Sequence, residues 1–248
     1  MSKLVGVLAD IHGDIFALDA ALPRLRGMGC DVILCAGDLI DMEPFGEEVI
    51  QRLKAEKDLI CILGNHERWA TARRHRQRDM RSFFEPCHIS EYFGGGAELS
   101  RDSLAWLATL PSHWEGELEG VRVAMWHARP GSDMDGIEKE RTGPGLRRRL
   151  LEQAHADVLI VGHSHLEFEL EVDAPPGKIL NPGACCSKAY VYKHRGPLLV
   201  PDKFRAATFG VLELPSMRFE VFRAHDGERV SGTSPDKPCS QAPRKAGE

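Results

Sequence analysis

The strongest constraint on the fold is a pattern that recurs along the chain, in which a short apolar run stops at a polar residue able to bind metal. Val5-Gly6-Val7-Leu8-Ala9 runs into Asp10-Ile11-His12-Gly13-Asp14, and Val32-Ile33-Leu34-Cys35-Ala36 runs into Gly37-Asp38-Leu39-Ile40-Asp41. Leu59-Ile60-Cys61-Ile62-Leu63 ends in Gly64-Asn65-His66-Glu67, Val121 to Trp126 in His127, and Val158-Leu159-Ile160-Val161 in Gly162-His163-Ser164-His165. Such runs of Val, Ile and Leu read as strands buried on both faces. Helical spacing separates the first three, at Ala17, Leu18, Ala21 and Leu22 and then at Val49, Ile50 and Leu53. Strand-helix units of this kind predict parallel neighbours with right-handed crossovers, so the polar tips converge on one rim, where open α/β sheets place their chemistry. Taken alone, the pattern suggests a single open sheet.

The intervening segments organise around these strands. Asp14 is expected to cap the first helix, with Pro23 and the Gly27/Gly29 pair ending it. From Arg68 to Arg81 the chain is helical in composition and carries Arg68, Arg73, Arg74, Arg76, Arg78 and Arg81, which suits either a solvated face or phosphate steering. Gly94-Gly95-Gly96 breaks it, and Ser100 caps a short helix with Leu104, Trp106, Leu107 and Leu110. Residues 68–112 are thus expected to form a helical insertion over the core. Trp114 to Leu118 and Val121 to Trp126 flank Glu119-Gly120, a hairpin signal. Gly145 to Ala154 reads as a helix with a solvated Arg147-Arg148-Arg149 run, and Phe168 to Val172 as a half-exposed strand. Lys178-Ile179-Leu180 leads to a turn at Asn181-Pro182-Gly183, and 209–214 with 218–222 form a closing antiparallel pair. One domain is expected over 1–225, with a disordered polar tail over 226–248.

Composition excludes several classes. A net charge of −5 argues against a general nucleic-acid coat, so an extended nucleic-acid partner is not expected. No apolar stretch approaches a bilayer span, and the N-terminus lacks the apolar region and cleavage site of a signal peptide, which points to a cytoplasmic protein without membrane attachment. Seven cysteines, odd in number and irregular in spacing, suit reduced thiols. Cys30, Cys35 and Cys61 are assigned to packing and Cys185-Cys186 to a tight loop.

Asp10, His12, Asp38, Asn65, His66, His127, His163 and His165 all terminate apolar runs, and five of the eleven histidines are among them. Carboxylates, an amide and imidazoles together suit Mn, Fe, Zn, Co or Ni better than Ca or Mg. They are too many for one tetrahedral ion. A carboxylate shared by two ions about 3.5–4 Å apart accounts for the number, and such a pair serves in-line attack on a phosphorus ester.

Asp10-x-His12, Gly37-Asp38-x-x-Asp41, Gly64-Asn65-His66-Glu67, His127 and Gly162-His163-x-His165, in that order, resemble the signature of the calcineurin-like metallophosphoesterase superfamily. The Asn181-Pro182-Gly183 loop is similar to the small phosphodiesterase branch of YfcE type, and the resemblance spans residues 4–184. It implies an α/β fold, a two-sheet β-sandwich flanked by helices. It also implies two divalent transition-metal ions, manganese first, with Fe, Zn, Ni or Co as alternatives. Asp10, His12, Asp38 and His165 would hold one ion, and Asp38, Asn65, His127 and His163 the other. His66 would be the catalytic imidazole and a metal-bridging hydroxide the nucleophile. Two departures stand out. His127 is followed by Ala128-Arg129-Pro130, where Arg129 either contacts a substrate phosphate or pairs with a local acid. Asp41 is followed by Met42-Glu43 instead of the Arg-Gly of the resembling protein phosphatases, which weakens a phosphoprotein assignment. Arg68 is a second candidate substrate contact, and Asp41 and Glu67 are expected to orient ligands from behind.

The expected activity is hydrolysis of a small phosphodiester or nucleotide. The alternatives are a metal-binding scaffold of the same fold, a phosphomonoesterase or protein phosphatase, and a nuclease, which would need a basic groove. A homo-oligomer is left open. His75, His88, His113, His155, His194 and His225 are assigned to the surface, and Lys188 and Arg195 to a pocket edge.

Overall fold

Two five-stranded sheets face each other in the computed structural model, which describes residues 2–71, 99–188, 190–195 and 198–230, with side chains for all of these except 190–204. The first third of the chain builds half of sheet one: β1 (Lys3–Leu8), α1 (Ile15–Gly27), β2 (Cys30–Cys35), α2 (Gly46–Lys54) and β3 (Leu59–Cys61), with parallel pairing between β1, β2 and β3. The short α3 (Asn65–Thr71) follows β3 directly, and α4 (Arg101–Leu107) lies beyond it. Sheet two begins with the hairpin β4 (His113–Leu118) and β5 (Val121–Trp126), turned at Glu119-Gly120. A 3₁₀ turn (Lys139–Arg141) and α5 (Pro144–Gln153) lead to β6 (Val158–Ile160), β7 (Glu167–Asp173) and β8 (Pro176–Pro182). The chain continues through the hairpin β9 (Tyr190–Arg195) and β10 (Leu198–Phe204). It returns to sheet one as β11 (Thr208–Leu214) and β12 (Arg218–Arg223). The strand orders are β12-β11-β1-β2-β3 and β4-β5-β6-β8-β7.

Apolar residues sort into three layers that explain why one sheet does not suffice. Leu18, Leu22, Leu25, Ile33, Ile50 and Phe209 fill the space between sheet one and α1 and α2. Successive strand residues point to opposite faces, so Val5, Val7 and Leu34 face away from those helices. They are buried against Val123, Met125, Val158 and Ile160 of sheet two. Beyond sheet two, Leu150 and Leu151 of α5 pack on Leu159, Phe168 and Ile179. The single open sheet suggested by periodicity is therefore replaced by a sandwich. Both faces of β1 and β2 are apolar, while the helices cover only one.

Several local expectations meet the structure. Asp14 caps α1, its Oδ1 accepting from the Ala17 N–H at 2.9 Å, and Ser100 caps α4. Pro23 does not end α1, because Pro23 and Asp19, whose carbonyl it leaves unbonded, both lie on the exposed side. Within the expected tail, the Val230 N–H donates to the Val221 carbonyl at 2.8 Å and Arg229 bridges Phe222. Residues 231–248 lie outside the described residues, as does 72–98 of the expected insertion, including Arg73, Arg74, Arg76, Arg78 and Arg81. The hairpin β9–β10 was not anticipated, because Gly196-Pro197 and Pro201 read as breakers. Among the described residues no helix is long and apolar enough to cross a membrane.

Candidate metal centre

Every parallel strand near the middle of the sandwich delivers its polar tip to one rim through an unusual backbone. Asp10, His12, Asp38, Asp41, His163 and His165 all have positive φ, between +50° and +69°. Side-chain-bearing residues avoid this region, and such strain collects at functional sites. Backbone bonds hold the tips in register: the Asp10 N–H donates to the Gly37 carbonyl at 3.0 Å and the His12 N–H to the Asp38 carbonyl at 2.9 Å. Gly64 is required by close approach, since a Cβ there would lie 2.1 Å from Asp38 Oδ1.

Glu67 locks these loops together. Its fully buried carboxylate accepts from the backbone N–H groups of Asp38 (2.9 Å), Leu39 (2.8 Å), Ile40 (3.2 Å) and Gly64 (2.8 Å). The carboxylate thus acts as the shared cap of two strand ends. Asn181 does the same for the other sheet: its amide donates to the Gly162 carbonyl at 2.9 Å and to Ser164 Oγ at 3.1 Å, and its oxygen accepts from the Gly183 N–H. The sequence reading took Asn181 for part of a turn. The signal it missed is that Asn181 also ends an apolar run, like the other tips.

Three sets of donor atoms lie within 4.8 Å of one another: those of Asp10, His12 and His165, of His12, Asp38 and His66, and of Asp38, His127 and His163. Asp38 Oδ2 stands 3.2 Å from His127 Nε2, 3.8 Å from His12 Nε2 and 3.9 Å from His66 Nε2. Asn65 Oδ1 is 3.0 Å from both His127 Nε2 and His163 Nδ1. His12 Nε2 and His165 Nε2 are 3.0 Å apart. A carbonyl only accepts, so His127 Nδ1–H donates to the Ala36 carbonyl (2.7 Å) and His12 Nδ1–H to that of Ile40 (3.3 Å). Both rings then turn Nε2 inward, where it offers a lone pair to a cation once its proton is displaced. His66 differs: its Nδ1 lies 2.9 Å from Asp41 Oδ2 and bonds to that carboxylate. Although burial opposes protonation of His66, the Asp38 and Asp41 carboxylates raise its pKa.

The donor set fits cations. Asp10 Oδ2 is buried without a hydrogen-bond partner, and burial pushes its carboxyl up to about 8. Burial holds His163 down to about 3, yet His127, against the same desolvation, is held up to about 10 by the Asp38 carboxylate. Two imidazole nitrogens, 3.2 Å apart and sharing one amide oxygen, converge lone pairs that only a cation or a proton reconciles. Divalent ions would satisfy all of these atoms at once.

The other candidates have local partners. Arg129 pairs with Asp135 at 2.8 Å. Both Nε and Nη2 of Arg68 bond to Asp133. His113 lies at the surface and stacks on Trp126 with centroids 4.2 Å apart, and His155 and His225 are exposed. Lys188 pairs with Glu43 at 2.8 Å. Cys30, Cys35, Cys61, Cys185 and Cys186 are buried thiols. His75 and His88, and the side chains of His194 and Arg195, lie outside the described residues.

A four-layered sandwich with a buried His/Asp/Asn cluster at its strand ends defines a metal-binding phosphoesterase architecture. Residues 4–195 match the calcineurin-like phosphoesterase superfamily domain, and the chain belongs to that family. It is 23% identical over 238 residues to the uncharacterized protein MJ0912 of Methanocaldococcus jannaschii, covering 90% of this chain and 88% of that one. Among solved structures it is similar to a metallophosphoesterase from Sphaerobacter thermophilus (18% identity, TM-score 0.65, 90% of this chain and 88% of the other). It is also similar to YfcE, a phosphoesterase from E. coli (17% identity, TM-score 0.52, 92% of this chain and 97% of the other).

Proposed function

We propose that this protein is a phosphodiesterase for small phosphodiesters or nucleotides, using two divalent transition-metal ions with manganese as first candidate. The observation that carries this reading is Asp38 Oδ2, which lies within 3.2–3.9 Å of imidazoles from both sheets, as a carboxylate shared by two sites should. Asp10, His12 and His165 complete one site, and Asn65, His127 and His163 the other. When bound, the cations supply positive charge to phosphate oxygens and lower the pKa of water toward neutrality.

The chain's own residues handle the leaving group. Asp41 orients His66 and, with Asp38, favours its protonated form, so Nε2–H faces the cluster and can protonate the departing alkoxide. The preference for a diester rests on charge. Arg68 and Arg129 are matched by Asp133 and Asp135, and Met42-Glu43 follows Asp41, so neither guanidinium is left over for a second phosphate negative charge. A metal-binding scaffold is the second reading, but it leaves the Asp41–His66 pair without a task.

The test compares bis-p-nitrophenyl phosphate with p-nitrophenyl phosphate on metal-stripped protein reloaded with Mn²⁺, Ni²⁺ or Zn²⁺. Faster diester turnover is expected. Predominant monoester cleavage overturns the diester preference, and no turnover with two bound equivalents favours the scaffold.

A further inference from the structure

Phe16 is 71% exposed, the sole large hydrophobic side chain so exposed among the described residues. Its position ties it to the rim. It follows the Asp10-x-His12 tip by four residues and meets Phe45 edge to face at 5.3 Å, while Phe45 follows Asp41 by four. The two loops are bonded together, the Gly13 N–H to the Leu39 carbonyl and the Glu43 N–H to the His12 carbonyl, both at 2.9 Å. Beside Phe16 lies a cavity of about 390 Å³, within the range of small-ligand sites. Its floor is Ala17, Ala20, Ala207 and Ala224, with exposed Ala206 beside it, and its polar edge includes Ser187, Arg223, His225 and Asp226.

Register places this cavity at the active rim. β11 runs antiparallel to β1 with Val7 opposite Gly210, so the start of β11 stands beside the end of β1, next to Asp10. The Ser187 N–H donates to Asp14 Oδ2 at 2.8 Å, fixing one wall to the loop that carries His12. Arg24 donates to the carbonyls of Ala224 (3.0 Å) and His225 (2.7 Å), fixing another. The walls are therefore preformed.

A floor of small alanine side chains, one exposed aromatic ring and a polar edge match a heteroaromatic ring. An aliphatic chain would leave the hydrogen-bonding edge unused. We infer that the Phe16 cavity seats the base of a nucleoside phosphodiester whose phosphate lies at the Asp38 centre. This rests on the phosphoesterase reading and specifies its substrate class. Stacking of a base on an aromatic side chain tolerates any base, so the pocket selects nucleosides as a class.

The experiment compares the Mn²⁺-loaded protein on thymidine 5′-(p-nitrophenyl phosphate) and on methyl p-nitrophenyl phosphate, which lacks a nucleoside. KM for the thymidine ester should be about tenfold lower, and Phe16→Ala and Ala20→Leu, which fills the floor, should bring the ratio of the two KM values toward one. Equal KM values for the wild-type protein, or a ratio unmoved by both substitutions, overturn the inference. If neither ester turns over, the phosphoesterase reading fails separately, and calorimetry with thymidine 5′-monophosphate decides. Binding weakened by Ala20→Leu upholds the pocket, and no binding overturns it. A concentration-dependent dimer dissolved by Phe16→Ala also overturns it, in favour of a contact between copies.

Discussion

The two sheets contribute unlike halves of one pocket. Sheet one supplies both carboxylates and the amide, Asp10, Asp38 and Asn65, together with His12 and His66. Sheet two supplies only imidazoles, His127, His163 and His165. Their supports differ too. The first half is gripped by a buried anion, Glu67, that collects four N–H groups, and the second by a neutral amide, Asn181. Because Asp10 and His12 meet His165, and Asp38 meets His127 and His163, a cation held by either set would bridge the sheets where their shared apolar core ends. The centre is therefore a staple between layers as well as a site.

Asp38, the carboxylate proposed to be shared, gives the largest expected effect. Asp38→Asn should release both metal equivalents and lower turnover by more than the about 10²–10⁴ expected for loss of the His66 acid. Asp10→Asn and Asn65→Ala should each release mainly one equivalent, read by elemental analysis of dialysed protein. Equal loss in all three variants would mean that the two donor sets do not hold separate ions. His66→Ala comes next: it should keep both equivalents and lower kcat by about 10²–10⁴. Unchanged turnover would remove His66 from the mechanism.

Glu67→Gln tests the support. The amide offers one acceptor where the carboxylate offers two, and turns its own N–H₂ toward backbone donors. The cost should be about 2–4 kcal/mol, or about 5–15 °C in Tm. Asn181→Ala leaves the Gly162 carbonyl, the Ser164 hydroxyl and the Gly183 N–H short, but removes no charge, and should cost less, about 1–2 kcal/mol. A larger effect at Asn181 would reverse the assignment of sheet one as the tightly held half. Chelation should lower Tm of the wild-type protein, and Mn²⁺ should restore it, because ions bound only by the folded state stabilise it.

The tips were legible because the chemistry of each apolar run changes at a single residue, and Asp10, Asp38, Asn65 and the histidines all sit there. What periodicity could not show is which sheet a strand joins. Val5 to Leu8 and Val158 to Val161 read alike, yet a sandwich core lies between them. The partners of Arg68 and Arg129 were equally hidden, since Asp133 and Asp135 belong to a loop without pattern. Asn181 was visible in type but not in task, because a buried amide that bonds the Gly162 carbonyl and one in a Pro-Gly turn have the same sequence.

Glu47 provides the smallest effect and a contrast with the rim, being half-buried and far simpler in its partners. It anchors α4 to α2, accepting from the Ser100 N–H (3.0 Å), the hydroxyls of Ser100 (3.0 Å) and Ser103 (2.9 Å), and Gln51 Nε2 (3.0 Å). The Ser100 N–H contributes most to holding its carboxyl down, to about 2 against an ordinary 4.5. Because the folded value lies below the unfolded one, the unfolded chain takes up the proton first as pH falls. The contribution is then complete above 4.5 and disappears as pH drops toward 2. Glu47→Gln should cost about 1 kcal/mol near neutrality once solvent screening is allowed for, and the Tm gap to wild type should narrow at about pH 3. A gap that stays constant across that range would show that the hydroxyl contacts of α4, and not the carboxylate charge, hold it against α2.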